Sequence, residues 1–321
     1  MQPPVSIGIV LFGTDLLRES LPTLLKQDYP NIEFLFRDHS PGGAAAKFIR
    51  EELPEVAGKA KLEVGENLFH SGGMNALVRK SSGDYFIAAS PDALYPPDFV
   101  SKAILDLEKS EQARFGSATV KLRRWIPAKN AQTEILDSCG IGISKSHRFF
   151  DRGQGELDRR QYDNQREIFG ASGALMILRR QALEEVKVGV EYFDERLHYK
   201  NDVDLAYRLQ WLGWKCLFLP QITVFHARGL GSSEPYRKRS DFQKENSTFG
   251  QFTVVQKNFS EDFSGKVKFL TKLRLAALKV FSLLFERASW KGFRRFRQIQ
   301  AELRKSSRRV SAQEIEKMMN S

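Results

Sequence analysis

The stretch ENLFHSGGMNALVRKSSGDYFIAASPDALYPPDF, residues 66–99, decides the architecture of the chain. Residues 72–81 space their apolar side chains as a helix does, DYFIAAS at 84–90 is an apolar run of strand length, and a second helical pattern occupies 97–110. Gly83 and Pro91 punctuate the strand on either side. The same alternation continues outward in both directions. Strand-like runs at 5–12, 31–38 and 61–65 are separated by helical patterns at 16–25 and 44–53. Beyond residue 110 come strands at 113–122, 169–180, 215–220 and 222–229, with a short helix at 181–187 and another ending near Trp211. This spacing predicts βαβ units, hence an α/β sheet, largely parallel, with helices on both faces. Ligands in such folds bind beyond the carboxyl ends of the strands. Gly13, Asp38, Gly65, Asn67 and Asp92 are therefore predicted to face one crevice.

Of the 321 residues, 41% are apolar and 24 are phenylalanines, enough for a sizeable core. Cys139 and Cys216 form neither a disulfide framework nor a metal-ligand spacing, which suits a reducing, cytoplasmic compartment. MQPPVSIGIVLFG has no basic segment and too short an apolar run for a signal sequence, and reads as a buried strand. The net charge of +11 is local: residues 265–321 hold fifteen Lys and Arg against four Glu, while the first 264 residues hold 35 of each sign. A domain over 1–258 and a basic helical extension over 259–321 are expected. Within the extension, LAALKVFSLLF has eleven residues including a lysine, well short of the roughly 20 that span a bilayer. Two readings fit it: an amphipathic segment on a peripheral membrane surface, or helices packed on the domain or on a second copy in a homo-oligomer. Nucleic-acid binding is not expected, since no recognition motif accompanies the charge.

HYKNDVDLAYRLQWLGW (198–214) sets Asp202 and Asp204 at the start of a helix. Capping alone accounts for the pair, because Asn and Asp are preferred N-caps and the helix dipole favours carboxylates in a first turn. Asp92 after a strand and His226 after ITVFH offer oxygen and nitrogen donors of the kind Mg2+ or Mn2+ takes, although a histidine ending an apolar strand is by itself more often structural. Asp38, before Pro-Gly-Gly, fits an Asx turn. Gly72 fits a tight turn, and Gly173 fits close strand packing.

Seven segments occur in an order that resembles the family 2 glycosyltransferases of GT-A fold: VSIGIVLFG, RDHSPGG, ENLFHSGGMNA, GDYFIAASPD, GASGALMILRR, FDERLHYKNDVDLAYRLQWLGW and VFHARG. The likeness covers residues 4–258 and is nearest the bacterial rhamnosyltransferase-like members that build cell-surface polysaccharides. It implies a mixed sheet flanked by helices. It also implies inverting, metal-dependent transfer of a sugar from a nucleoside-diphosphate donor (dTDP- or UDP-linked) to a hydroxyl of a glycan or lipid-linked acceptor. By this resemblance Asp92 matches the last aspartate of the DxD motif, and His226 a further ligand for Mg2+ or Mn2+. Such a cation stabilises the departing diphosphate. Asp38, Asn67, Gly72 and Asn75 match nucleotide-contacting positions, and Gly173 a glycine near the transferred sugar. Asp202 matches the general base that takes the acceptor proton.

Ser90 and Asn201 stand where the family has acidic residues. They leave a rival reading, a nucleotide-sugar-binding scaffold without turnover. A nucleotidyltransferase would need a Gly-rich, Arg/Lys-bearing signature that VLFGTDLLRES lacks. The aperiodic stretch 123–169 includes DRGQGELDRRQYD (151–163), expected to be a mobile loop over donor or acceptor. The implied location is the cytoplasmic face of the inner membrane, held there by the extension.

Overall fold

The computed structural model describes residues 2–109, 113–228 and 238–320. Its first half is a run of βα units: β1 (Val5–Leu11), α1 (Leu17–Leu25), β2 (Ile32–Asp38), α2 (Ala44–Glu52), α3 (Pro54–Lys59), β3 (Ala60–Val64), α4 (Phe69–Lys80) and β4 (Tyr85–Ala89). Then come β5 (Ala93–Leu94), α5 (Phe99–Lys109), the long β6 (Phe115–Ile126) and β7 (Ala131–Ser138). Three short strands, β8 (Ile141–Ser144), β9 (Phe149–Asp151) and β10 (Glu167–Ile168), precede β11 (Leu175–Arg179), α6 (Arg180–Val186), α7 (Asn201–Trp211) and β12 (Lys215–His226). The chain ends in α8 (Asp241–Asn258), α9 (Gly265–Phe285), α10 (Arg287–Ile299), α11 (Ala312–Lys317) and β13 (Met319–Asn320).

The main sheet has the order β10-β12-β6-β11-β4-β1-β2-β3. Strands β1 to β4 run parallel, β11 enters antiparallel between β4 and β6, and β12 is parallel to β6. It is thus a mixed sheet, and the reversal of β11 has a consequence for the site. The start of β11 lies at the same edge as the ends of β4 and β12. Side chains alternate across the sheet, as strand geometry requires. Tyr85, Ile87 and Ala89 pack in the cluster holding α1, α2 and α5, whereas Phe86 and Ala88 pack with α4, α6 and α7.

Several local features differ from the sequence reading, and the stretch 123–169, read as aperiodic, carries the end of β6 and strands β7 to β10. Gly72 and Gly73 lie inside α4 rather than in a turn. The two expected strands at 215–229 are one strand, β12, running through Pro220 with a register shift between Leu219 and Thr223. A proline has no N–H for the ladder, so the irregularity falls there. Segment 151–163 is tied to β6: the buried Asp158 carboxylate is 2.6 Å from Arg123 and 3.1 Å from Lys121.

The basic extension packs through some helices and leaves another half bare. Phe293 and Phe296 of α10 pack against Phe252 of α8, the first edge-on at 4.9 Å and the second tilted at 5.5 Å between ring centres. A Cβ on Gly292 would meet the Glu245 carbonyl at 2.1 Å, so only glycine allows that contact. Phe293, Phe296, Ile315 and Met319 share one buried cluster with Tyr207, Trp211 and Phe249. In α9, by contrast, Val267, Thr271 and Ser282 are covered while much of the remaining surface is exposed.

Candidate active site

Strand pairing builds the first half of the site. β5 pairs antiparallel with the end of β12, setting His226 opposite Ala93, the residue after Asp92. Nε2 of His226 is 3.2 Å from Asp92 Oδ1, and its Nδ1 is 2.9 Å from Oδ2 of Asp137 near the end of β7. Burial alone would lower the pKa of His226, but hydrogen bonding to Asp137 and Asp92 outweighs it and pushes the imidazole up to about 9. Burial would raise Asp92, yet the bonds from His226 and the Ser90 hydroxyl hold it at about 2. The other oxygen of Asp137 accepts from Arg228 at 2.7 Å, and Arg228 also donates to Asp151 at 2.9 Å.

This donor set fits a divalent cation that displaces the proton His226 Nε2 shares with Asp92, since only a neutral imidazole ligates. Adjacent ligands on an octahedral ion with bonds of ~2.1 Å lie about 3 Å apart, close to the 3.2 Å between Asp92 Oδ1 and His226 Nε2. Asp137 on the far ring nitrogen is the outer carboxylate that commonly orients a ligating histidine. Among the described residues no three His, Cys, Asp or Glu side chains make a self-sufficient metal site. Two protein donors suit a hard cation completed by phosphate oxygens.

The second half lies at the start of α7. Lys200, at φ 66°, turns the chain into the helix. The next residue, Asn201, donates to His70 and Ser71 at 3.0 Å each and accepts from the Asp202 amide at 2.9 Å. It fastens the turn to α4 with an amide, at the position where the resemblance implies an acidic residue. Asp202 accepts from the Val203 amide at 2.8 Å and from the Gly173 amide, just before β11, at 3.0 Å. Burial, then the Asp151 carboxylate, push its carboxyl up to about 6. It lines a cavity of about 240 Å³ with Asp151, Lys200, Arg228 and Arg239. A Cβ on Gly173 would sit 2.9 Å from Asp202 Oδ2, so glycine is what permits that contact. Misplacing a catalytic group by about 1 Å costs roughly 100-fold in rate. On the reading that Asp202 is the base, Gly173→Ala is expected to lower kcat on that order with little change in KM, measured by steady-state kinetics.

The structure thus brings Asp92, His226, Gly173 and Asp202 to one edge of the sheet, and it sends other expected residues elsewhere. Asn75 is fully buried: its amide donates to Phe193 O and Glu195, and accepts from Tyr192 N and Phe193 N. All its bonding capacity is spent tying α4 to that loop, which corrects its expected place against a nucleotide. Gly72 likewise faces Leu68 and Glu195, and the close approach it permits is within the protein. Asp38 is buried at the end of β2, and its two oxygens accept from the Ser40 and Ala46 amides, so it shapes the loop after β2. Asn67 is exposed and accepts from the Phe69 amide. Asp204 is no cap. It is buried in ion pairs with Arg208 and Lys257. Asp137, Asp151 and Arg228 escaped the sequence reading, the first two because they lie in the aperiodic stretch.

The sequence profile described as Glycosyl transferase family 2 matches residues 6–187, more than half of the chain. No curated protein matches the chain in sequence. Solved structures of similar fold include GalNAc-T7 with UDP, GalNAc and Mn2+, at a TM-score of 0.60 and 14% identity, covering 95% of this chain and 56% of that one. The mannosyltransferase PcManGT from Pyrobaculum calidifontis, in complex with GDP-Man and Mn2+, matches at 0.54 and 15% identity over 94% of this chain and 85% of its own. S. aureus TarS 1-349 matches at 0.54 and 10% identity, over 98% and 83%. The chain spans little more than half the length of the first of these, and at such identities the likeness is one of fold.

Proposed function

The chain belongs to glycosyl transferase family 2 and is a glycosyltransferase of GT-A fold, and from that premise we propose that it transfers a sugar, with inversion, from a nucleoside-diphosphate donor to an acceptor hydroxyl. One observation carries the reading: an unbroken line of hydrogen-bonded groups, Asp92, His226, Asp137, Arg228, Asp151, that ends beside Asp202. It links the cation-type donors to the base-type carboxylate at the sheet edge where this fold class binds ligands.

The acceptor hydroxyl donates to Asp202. Its oxygen attacks the anomeric carbon from the face opposite the diphosphate, the carbon–diphosphate bond breaks, and the proton passes to Asp202. A single displacement with one base inverts the centre. A pKa of about 6 keeps Asp202 ionised at neutral pH while raising its basicity toward the useful range. Asp92 and His226 would hold Mg2+ or Mn2+, which when bound stabilises charge on the departing diphosphate. Arg228, clamped by Asp137 and Asp151, fixes the wall between those donors and the base.

The nucleoside would lie over the loops after β1, β2 and β3. There Asp38 shapes the backbone, Asn67 is exposed, and Phe12, 67% exposed, offers an aromatic face. Similar folds hold UDP or GDP-Man, which supports a nucleotide-sugar donor; UDP and dTDP are our expectation. The acceptor is a glycan or lipid-linked saccharide of cell-surface polysaccharide synthesis, as in the rhamnosyltransferase-like members. The 259–321 extension would hold the enzyme against the cytoplasmic face of the membrane. Among the described residues no helix is long and apolar enough to cross one.

A thermal-shift panel of UDP-, dTDP- and GDP-sugars with Mn2+ tests the donor. A ligand at 100 times its Kd adds about 2.7 kcal/mol to apparent stability, and no shift with any nucleotide would overturn the reading. Asp137→Asn is expected to weaken Mn2+ binding by about 10–100-fold, followed by titration calorimetry without substrate. Unchanged affinity would remove Asp137 from its orienting role.

A further inference from the structure

Beside the cavity at Asp202 lies another, of about 450 Å³, which shares Phe149, Lys200, Arg239 and Ser247 with it and continues to α9. Its charged lining is Arg148, Lys200, Arg239 and Arg274, and among the described residues no carboxylate lines it. These cations press on one another. Burial lowers Lys200 to about 8 despite the pull of Asp202, and Arg239 and Arg274 add to the lowering. Burial, then Arg148, lowers Arg274. Nε of Arg239 and Nε of Arg274 are both buried without a hydrogen-bond partner. Unpaired guanidinium nitrogens inside a cluster of like charge are costly until an anion completes them. Four cations call for more than one negative charge, and phosphate oxygens match guanidinium forks.

The apolar part of its lining is Phe149 with Leu278 and Phe281 of α9. From Phe281 the surface continues onto the bare side of α9. Phe269, Leu273, Val280 and Leu284 are 64, 55, 52 and 64% exposed and fall on one helical face, opposite the packed Val267, Thr271 and Ser282. The helices α9 and α10 carry ten Lys and Arg and no acidic residue. Charge therefore selects what covers the stripe. A second copy would bring like charges together, whereas an anionic membrane surface neutralises them while its acyl boundary takes the apolar face.

Resting on the transferase reading above, we propose that the acceptor is a saccharide carried on a lipid phosphate or diphosphate. The phosphate occupies the cationic cavity, the lipid follows α9 to an anionic membrane surface, and a hydroxyl of the attached saccharide meets Asp202. That hydroxyl, not a phosphate oxygen, is the nucleophile. An ionised phosphate oxygen has no proton to give up and would need no base beside it.

Calorimetric titration of the full-length protein with geranyl diphosphate and with inorganic diphosphate tests this, with EDTA present so that no cation holds diphosphate at Asp92 and His226. Geranyl diphosphate should bind at least about tenfold more tightly than inorganic diphosphate, and Arg274→Ala should weaken both by a similar factor. Arg274→Lys should restore most of that loss. Phe281→Ser should erase the preference for the geranyl compound and leave inorganic diphosphate binding in place. Equal binding of the two compounds to wild type overturns the proposal, as do unmoved affinities in an Arg274→Ala protein of normal melting temperature. Where Arg274→Ala melts early, Arg274→Lys and Phe281→Ser decide. Failure here with intact Mn2+-dependent binding of UDP or dTDP leaves the donor reading standing; loss of nucleotide binding by wild type would sink that reading instead.

Discussion

The Asp202→Asn protein is expected to bind nucleoside diphosphate and melt close to wild type, yet to transfer sugar about 10²–10⁴ times more slowly. Asparagine fills the same space and keeps one of the two backbone contacts, to Val203 or to Gly173. The other contact is lost, at a cost of about 1 kcal/mol. Proton acceptance disappears altogether. The pH dependence gives an independent signature with a definite sign. The base works only when ionised, and burial with the Asp151 charge disfavours ionisation, placing the carboxyl at about 6 instead of its ordinary 3.8. Wild-type kcat/KM should therefore be flat above pH 6 and fall about tenfold per unit below it, while the small residual rate of Asp202→Asn should lack that limb. Transfer within tenfold of wild type, or an acid limb near pH 4, would remove Asp202 from the role of base.

Much of the sheet was legible because apolar runs of strand length alternate with helical patterns of period 3.6. Asp92, His226 and Asp202 were singled out by the order of the family-like segments, since a strand end or a helix start alone fitted capping or structural roles as well. Asp137 and Asp151 were not. Their partners, His226 and Arg228, lie 89 and 77 positions away along the chain; Asp137 is brought to His226 by the pairing of β6 with β7 and β12, and Asp151 ends β9, in a separate small sheet. Gly72 and Gly73 misled for a different reason. A glycine pair ordinarily signals a turn, but here packing overrides propensity. A Cβ at Gly73 would meet Val10 and His39 at 2.6 and 2.7 Å, so the helix keeps glycines to approach β1 and the loop after β2. Nor could sequence say which apolar positions of α9 would be covered, since that depends on where α8 and α10 lie.

Asp204→Ala is expected to destabilise the fold by about 3–5 kcal/mol, lowering the melting temperature by on the order of 10 °C, although Asp204 stands only two residues from the base. Asp204 is fully buried and neutralises two cations at once, 2.9 Å from Arg208 Nε and 2.6 Å from Lys257 Nζ. Arg208 spends its other nitrogens on the carbonyls of Val186 and Tyr192, and Lys257 has one further carboxylate, Asp194, at 2.9 Å. That carboxylate already serves Arg196. Without Asp204, Arg208 keeps its charge in the interior with only neutral acceptors, the situation in which removing one member of a buried pair costs most. Chemical denaturation should therefore show a lower midpoint with an unchanged slope. Mn2+ affinity of the protein that remains folded should equal wild type, because Asp92 and His226 are held by β5 and β12 and not by α7. A stability loss below about 1 kcal/mol would mean that water reaches Arg208 and Lys257 and replaces the carboxylate, and that the pair is a surface-like contact of little weight.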